Sequence, residues 1–171
     1  MASGRNYRRP TRVRVCLWDP LARFMIRRGV GGTSADGSGM RILDVRGRRT
    51  GRRYQRPVAV SAVDGLRYIV SICGESQWVR NLRAPAPDAN LRLGRRLEPV
   101  EAHELGDGEA KAAVLLAVCR RSPAIARRHY GVDPQTLTLE QAREVAARYP
   151  IFRIEARPAA TPIATPASIS V

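Results

Sequence analysis

The chain has 171 residues, 44% of them hydrophobic, and a formal net charge of +15. That length fits one domain with a sizeable core, and no apolar run reaches the roughly 20 residues that a bilayer span needs. The first ten residues, MASGRNYRRP, are polar and arginine-rich rather than a leader with an apolar centre, so the expectation is a soluble cytoplasmic protein. Cys16, Cys73 and Cys119 are scattered, and His103 and His129 have no partner at ligand spacing. Neither a disulfide frame nor a metal site is expected. Lys111 is the single lysine among 30 basic residues, so the charge reflects a coding bias toward arginine as well as any partner.

In chain order, residues 1–11 read as a flexible tail and 12–156 as the domain. Within 12–29, Leu17, Leu21, Phe24 and Met25 recur at helical spacing. Asp19-Pro20 sets a helix start and Gly29 its end. The face predicts a core-covering amphipathic helix, with weak contact to a membrane surface as the other reading. GGTSADGSG, residues 31–39, is a loop by composition.

Strand patterns follow over 41–46, 58–63 and 66–72, with Asp64-Gly65 as a hairpin turn between the last two. Leu66, Tyr68, Val70 and Ile72 alternate onto one face. Ser76 is placed to cap a short helix over 77–84, which Pro85 and Pro87 stop. Strands over 90–93 and 96–105 flank Gly94, with Pro99 at an edge or bulge.

The remainder is helical until the last strand. Asp107 is expected to cap a helix over 108–121 whose face runs through Ala113, Leu116, Ala117 and Arg120, and Ser122-Pro123 starts another. TLEQ, residues 138–141, is a capping box, and Leu139, Ala142, Val145, Ala146 and Tyr149 make the apolar face behind it. Pro150 ends that helix, 151–156 forms a closing strand, and 157–171 reads as a disordered tail rich in Pro, Ala, Thr and Ser. Six mostly antiparallel strands with flanking helices give an α+β class, and a small, partly open barrel removes most free edges.

Two stretches carry the chemistry. GRRTGRRYQRP, residues 47–57, reads as a loop between strands. Arg48, Arg49, Arg52, Arg53 and Arg56 offer forked donors to phosphate or carboxylate oxygens, Thr50 a hydroxyl, and Gly47 and Gly51 close backbone approach. It is no P-loop, since the final Gly-Lys-Ser/Thr is missing. SQWVRNLR, residues 76–83, opens a helix directly after a strand, where free N–H groups attract anions. Trp78 is either a wall of that site or a core residue.

GRRTGRRYQRPV resembles the Gly-Arg-Arg/Lys-Ser/Thr-Gly…Tyr-x-x-Pro-Val signature of the deazaflavin-dependent nitroreductase family. GESQWVRNLRA is similar to that family's Trp-Val-Arg-Asn-Leu-Arg helix start, and the likeness extends in order over 42–156. The resemblance implies a split β-barrel of the flavin-oxidase and pyridoxamine-oxidase kind. It also implies coenzyme F-420, an 8-hydroxy-5-deazaflavin with a phosphate and an oligoglutamate tail, as hydride donor, with FMN as the alternative cofactor. Carried over by position, Arg48, Arg49, Thr50, Gly51 and Arg56 would meet phosphate and tail, and Pro57 and Val58 would run beside the ring. Gly74, Glu75 and Ser76 would lie at the ring edge, and Trp78 and Asn81 would complete the phosphate side.

Arg53 and Gln55 depart from the pattern, standing where relatives carry proline and arginine. Hydride transfer to an activated C=C, imine, quinone or nitro group needs positioning more than a reactive side chain, which suits a chain without a nucleophile–base constellation. Tyr54, Tyr130 and Tyr149 are the candidate proton donors. The substrate pocket is expected between the N-terminal helix and residues 123–149, and a homodimer is expected from the fold analogy. The competing readings are a non-catalytic or differently specific barrel holding flavin, a tetrapyrrole or a fatty acid, and a nucleic-acid-binding module. Aromatics at 5% and the lack of a reading motif argue against the last.

Overall fold

The computed structural model describes residues 21–30 and 34–158. The expectations for the two tails' outer residues, for Leu17 and for the Asp19-Pro20 helix start lie outside the described residues. Residues 21–27 are helical (α1) and end at Gly29. Then come β1 (Gly39–Arg46), β2 (Arg53–Val63), β3 (Leu66–Val70), α2 (Gln77–Leu82), β4 (Ala89–Leu93) and β5 (Arg96–Glu104). The chain continues through α3 (Glu109–Arg121), a single turn α4 (Pro123–Ile125) running into a π-helical turn (Ala126–Tyr130), α5 (Leu139–Ala146) and β6 (Ile151–Ala156).

The six strands close a barrel in the order β1-β2-β3-β6-β5-β4, with β4 pairing back to β1 and every pair antiparallel. The expected partial opening is not there: the short β4, reached through α2, supplies the pairing that seals the edge of β1. The α+β split-barrel class stands.

Strand alternation divides the apolar residues into two cores. Leu43, Val45, Val58, Val60, Ile69, Leu91, Val100, Phe152 and Ile154 fill the barrel. Tyr68 and Ile151, of opposite parity on β3 and β6, join α3, α5 and the π-helical turn in a second core outside it. Thus β3 is buried on both faces, which a single alternating stripe did not anticipate; Leu66, at its start, is exposed.

Three other expectations are corrected. Leu21, Phe24 and Met25 do not cover the core: they are exposed, and Ile26 is the buried residue of α1. The buried face of α3 is Lys111, Ala112, Val114, Leu115, Val118 and Cys119; Ala113 and Arg120 face solvent, one helical step from the face the sequence suggested. Asp107 does not cap α3, whose N-cap is Gly108; its carboxylate accepts from Lys111 Nζ instead, at 2.8 Å. The Thr138–Gln141 capping box is present with both bonds, 3.2 and 3.1 Å.

One end of the barrel carries α2, with Val79 and Leu82 inserted into the barrel core and Trp78 packed against it. At the other end a bidentate ion pair, Arg67 to Glu98 at 3.0 and 2.7 Å, lies among the strands. Arg41 stands beside it, its guanidinium pushed down chiefly by burial. The apolar lid at the α2 end is where the two motifs meet.

Candidate functional site

The arginine-rich stretch is not a long loop. β1 and β2 pair through to Arg46 and Arg53, leaving residues 47–52 as the connection. Gly47 N donates to Arg52 O at 2.8 Å and Gly51 N to Gly47 O at 2.9 Å. Gly51 takes φ +66, and Arg46 Nε donates to its carbonyl at 3.1 Å. Gly47 leaves little room for a side chain: a Cβ there would stand 2.4 Å from the Tyr54 ring, which would have to shift. The Tyr54 hydroxyl shares a 3.2 Å hydrogen bond with Thr50, and Arg52 N donates to Thr50 Oγ1 at 3.3 Å.

The turn is fastened to α2. Arg48 Nη1 donates to Asn81 Oδ1 at 3.0 Å and to Gln77 Oε1 at 3.2 Å, and Arg48 N approaches the same Asn81 oxygen at 3.4 Å. Gln77 and Asn81, four residues apart, share one helix face, and Asn81 is 4% exposed. The Trp78 ring turns toward the barrel, tilted 54° to Phe152 with centroids 5.8 Å apart. Trp78 is therefore a half-buried lid on the barrel core, as the core reading expects.

Two further observations mark this end of the molecule. Arg49, Arg52 and Arg80 are exposed, and among the described residues their guanidinium groups meet no acceptor. Ser76 sits at the N-cap position with extended backbone, but its side chain makes no capping bond. Its Oγ is instead buried and, among the described residues, has no hydrogen-bond partner, a costly state for a hydroxyl. The Gly74–Ser76 segment is shaped locally: Ser71 Oγ donates to Gly74 O at 2.7 Å, and Gly74 takes φ +60.

Other residues are placed elsewhere. Because β2 begins at Arg53, its side chains alternate. Arg53 points outward to ion pairs with Asp44, at 3.3 Å, and Asp88. Gln55 follows it, donating to Asp44 Oδ2 at 2.7 Å and accepting from Arg27 at 2.6 Å. Both departures from the signature thus serve a polar network on the barrel wall beneath α1. Pro57 has the same outward parity, Val58 is buried inside the barrel, and exposed Arg56 has the inward parity near the mouth.

Glu75 is held by Arg83 Nη1 at 2.8 Å, and Arg83 grips Glu104 with two bonds of 2.5 and 2.7 Å. Those bonds, Glu104 first, hold the Arg83 guanidinium above its ordinary pKa. Tyr130 and Tyr149 are remote from the turn. They stack edge-on at 4.9 Å in the helical core, Tyr149 donates to His129 O at 3.1 Å, and burial pushes both phenols up. Tyr54 alone among the three tyrosines stands at the site.

Sequence reasoning did not single out Gln77, which accepts a bond from Arg48 on the same helix face as Asn81. Helical spacing from Asn81 was the available signal, since positions 77 and 81 share a face.

A family model described as F420H(2)-dependent quinone reductase matches residues 21–140, a span that holds the arginine turn, the start of α2 and the barrel wall between them. No curated protein matches. Among solved structures, the chain is similar to Atu2129 from Agrobacterium tumefaciens str. C58, a protein of unknown function, at 14% identity and a TM-score of 0.43. The likeness covers 84% of this chain, which spans 58% of that one. With most of the described domain inside the matched span, the chain belongs to the F420H(2)-dependent quinone reductase family, whose cofactor is coenzyme F-420.

Proposed function

We propose that the protein is a reductase that holds coenzyme F-420 between the 47–52 turn and the start of α2, and that its acceptors are small electrophilic molecules. Quinones are the first class to test, followed by activated alkenes, imines and nitro compounds. The observation that carries this reading is the fastening of Arg48 to Gln77 and Asn81, which brings both motifs to one end of the barrel.

The residues present fit the group. Its phosphate and carboxylate tail calls for donors that are not already spent, and Arg49 and Arg52 stand exposed in the turn, as Arg80 does on α2. The orphaned Ser76 hydroxyl offers a buried donor at the entrance to α2. Arg48 remains a bidentate cation with one nitrogen committed to the helix, so it both shapes the turn and faces an anion. When bound, the coenzyme supplies a hydride, and the protein's part is orientation.

Trp78 and the inward-facing start of β2 give the site a rigid floor, because they rest on a closed barrel. Tyr54 is the phenol positioned to deliver a proton near that floor, with Thr50 fixing its hydroxyl. No side chain in this arrangement is built to act as a nucleophile. Positioning is the contribution the residues make.

The test is spectroscopic. Reduced coenzyme is mixed with pure protein and a panel of quinones, enones, imines and nitroaromatics, and the loss of its absorbance is followed. Protein-dependent oxidation by at least one class is expected. Saturable coenzyme binding with no turnover on any of them would instead make the protein a carrier.

A further inference from the structure

α1 is mounted on the barrel with its more apolar side outward. Leu21, Phe24 and Met25 stand at i, i+3 and i+4, one stripe of the helix, and are 54%, 56% and 43% exposed. The side turned to the protein holds Ala22, Arg23 and buried Ile26. Val30, just past the end of the helix, is 57% exposed. Scattered exposed apolar side chains need no explanation, but a group of them on one short element marks a contact surface.

The rim of that surface is cationic. The Arg28 guanidinium lies over the Phe24 ring, 4.9 Å from its centroid. Arg27 donates to the neutral amide of Gln55 and so keeps its charge uncompensated. Gly94 N donates to Ile26 O at 2.9 Å, which brings the β4–β5 turn, with exposed Arg95, to the end of α1. In sequence, the residues leading into the helix supply Arg5, Arg8, Arg9, Arg12 and Arg14 against one acid, Asp19. A second copy of this chain on the same face would set these cations against each other, because a two-fold contact meets itself. An anionic partner with an apolar interior complements both features. Exposed Leu and Phe edged by arginine is the pattern of a helix that lies in a bilayer interface.

We propose that α1 docks the protein on an anionic lipid surface, with Leu21, Phe24 and Met25 entering the boundary between headgroups and acyl chains and Arg27, Arg28 and Arg95 facing the lipid anions. The attachment is peripheral, since no helix among the described residues is long and apolar enough to cross a membrane. Each arginine held near such a surface contributes about fivefold in affinity, an attraction that salt screens. The surface is separate from the arginine turn and does not depend on the coenzyme being bound.

The full chain, without coenzyme, is sedimented with vesicles of phosphatidylcholine and phosphatidylserine mixed two to one, and with vesicles of phosphatidylcholine alone. Binding to the mixed vesicles is expected, and at least tenfold weaker binding to the neutral ones. Phe24→Gln combined with Met25→Gln should weaken binding to the mixed vesicles at least fivefold and leave the urea midpoint unchanged, because both side chains are exposed. Arginines ahead of α1 can hold a charged vesicle by themselves, so this apolar variant is the one that assigns the contact to the helix. Arg28→Gln combined with Arg95→Gln should also weaken binding at least fivefold, and decides the matter should the first variant not fold. No binding to the mixed vesicles, equal binding to both kinds, or unchanged binding by either folded variant overturns the proposal. So does a chain that is dimeric in solution and turns monomeric in the Phe24, Met25 variant, which makes a second copy the occupant of this face.

Discussion

Arg48 and Arg53 are five positions apart in one arginine run and have opposite fates. Arg48 turns to Asn81 and Gln77 at the end of the barrel, whereas Arg53 pairs with Asp44 and Asp88 on the outer wall. Replacing Arg53 with alanine should therefore leave coenzyme affinity within about twofold. It should cost only ~0–1 kcal/mol of stability, as partly exposed ion pairs do, and calorimetric titration and urea unfolding measure the two quantities. Gly47→Ala is predicted to cost ~1–3 kcal/mol, because the new methyl displaces the Tyr54 ring from the turn. Composition made the cationic run plain, but not which arginines are free. That depends on the strand register at Arg46 and Arg53, where one residue of slip exchanges inward and outward side chains. Likewise the Ser76 hydroxyl has the right type and position for a cap, and only its surroundings reveal that it makes no capping bond.

Among the elements, those announced by local chemistry matched well. The Asp64-Gly65 and Gly94 turns separate paired strands as expected, and the capping box opens α5 with both reciprocal bonds. Thr138→Ala should lower stability by ~1 kcal/mol, the usual cost of a lost cap, seen as a lower urea midpoint with an unchanged slope. Elements whose faces are set by tertiary neighbours were read less well. α3 buries Lys111 and Val114 rather than Ala113 and Arg120, because an alanine-rich helix has little apolar contrast and its orientation is chosen by what it packs against. α1 presents Leu21, Phe24 and Met25 outward, since a short helix resting on a barrel wall through Ile26 has room for only one buried row. β2 starts five residues before the expected position; an arginine-rich strand half is polar on both faces and carries no alternation to read.

At the scale of the molecule, closure of the barrel is what makes the site rigid. Phe152 touches both the barrel interior and the Trp78 lid, so Phe152→Ala is expected to destabilise by ~3–5 kcal/mol, measurable by urea unfolding. Closure itself was not legible, because it depends on β4 returning to β1 across nearly fifty residues, and no local pattern encodes such a pairing. The meeting of the two motifs at one end of the barrel was legible, through the family resemblance that both carry. The net charge of +15 adds a general attraction for anions that salt screens within about 10 Å at 0.1 M. The ring-binding part of the affinity should survive salt better than the tail-binding part.

The most direct measurement compares coenzyme F-420 binding to the unaltered protein and to the Arg48→Ala, Arg49→Ala double variant, by fluorescence titration with one-glutamate and long-tail forms. Charge-assisted hydrogen bonds of this kind are worth ~1.5–3 kcal/mol each, so the double variant should bind at least tenfold more weakly and lose its preference for the longer tail. Equal affinity in the two proteins, with tail length still discriminated, would contradict the placement of the coenzyme at the 47–52 turn.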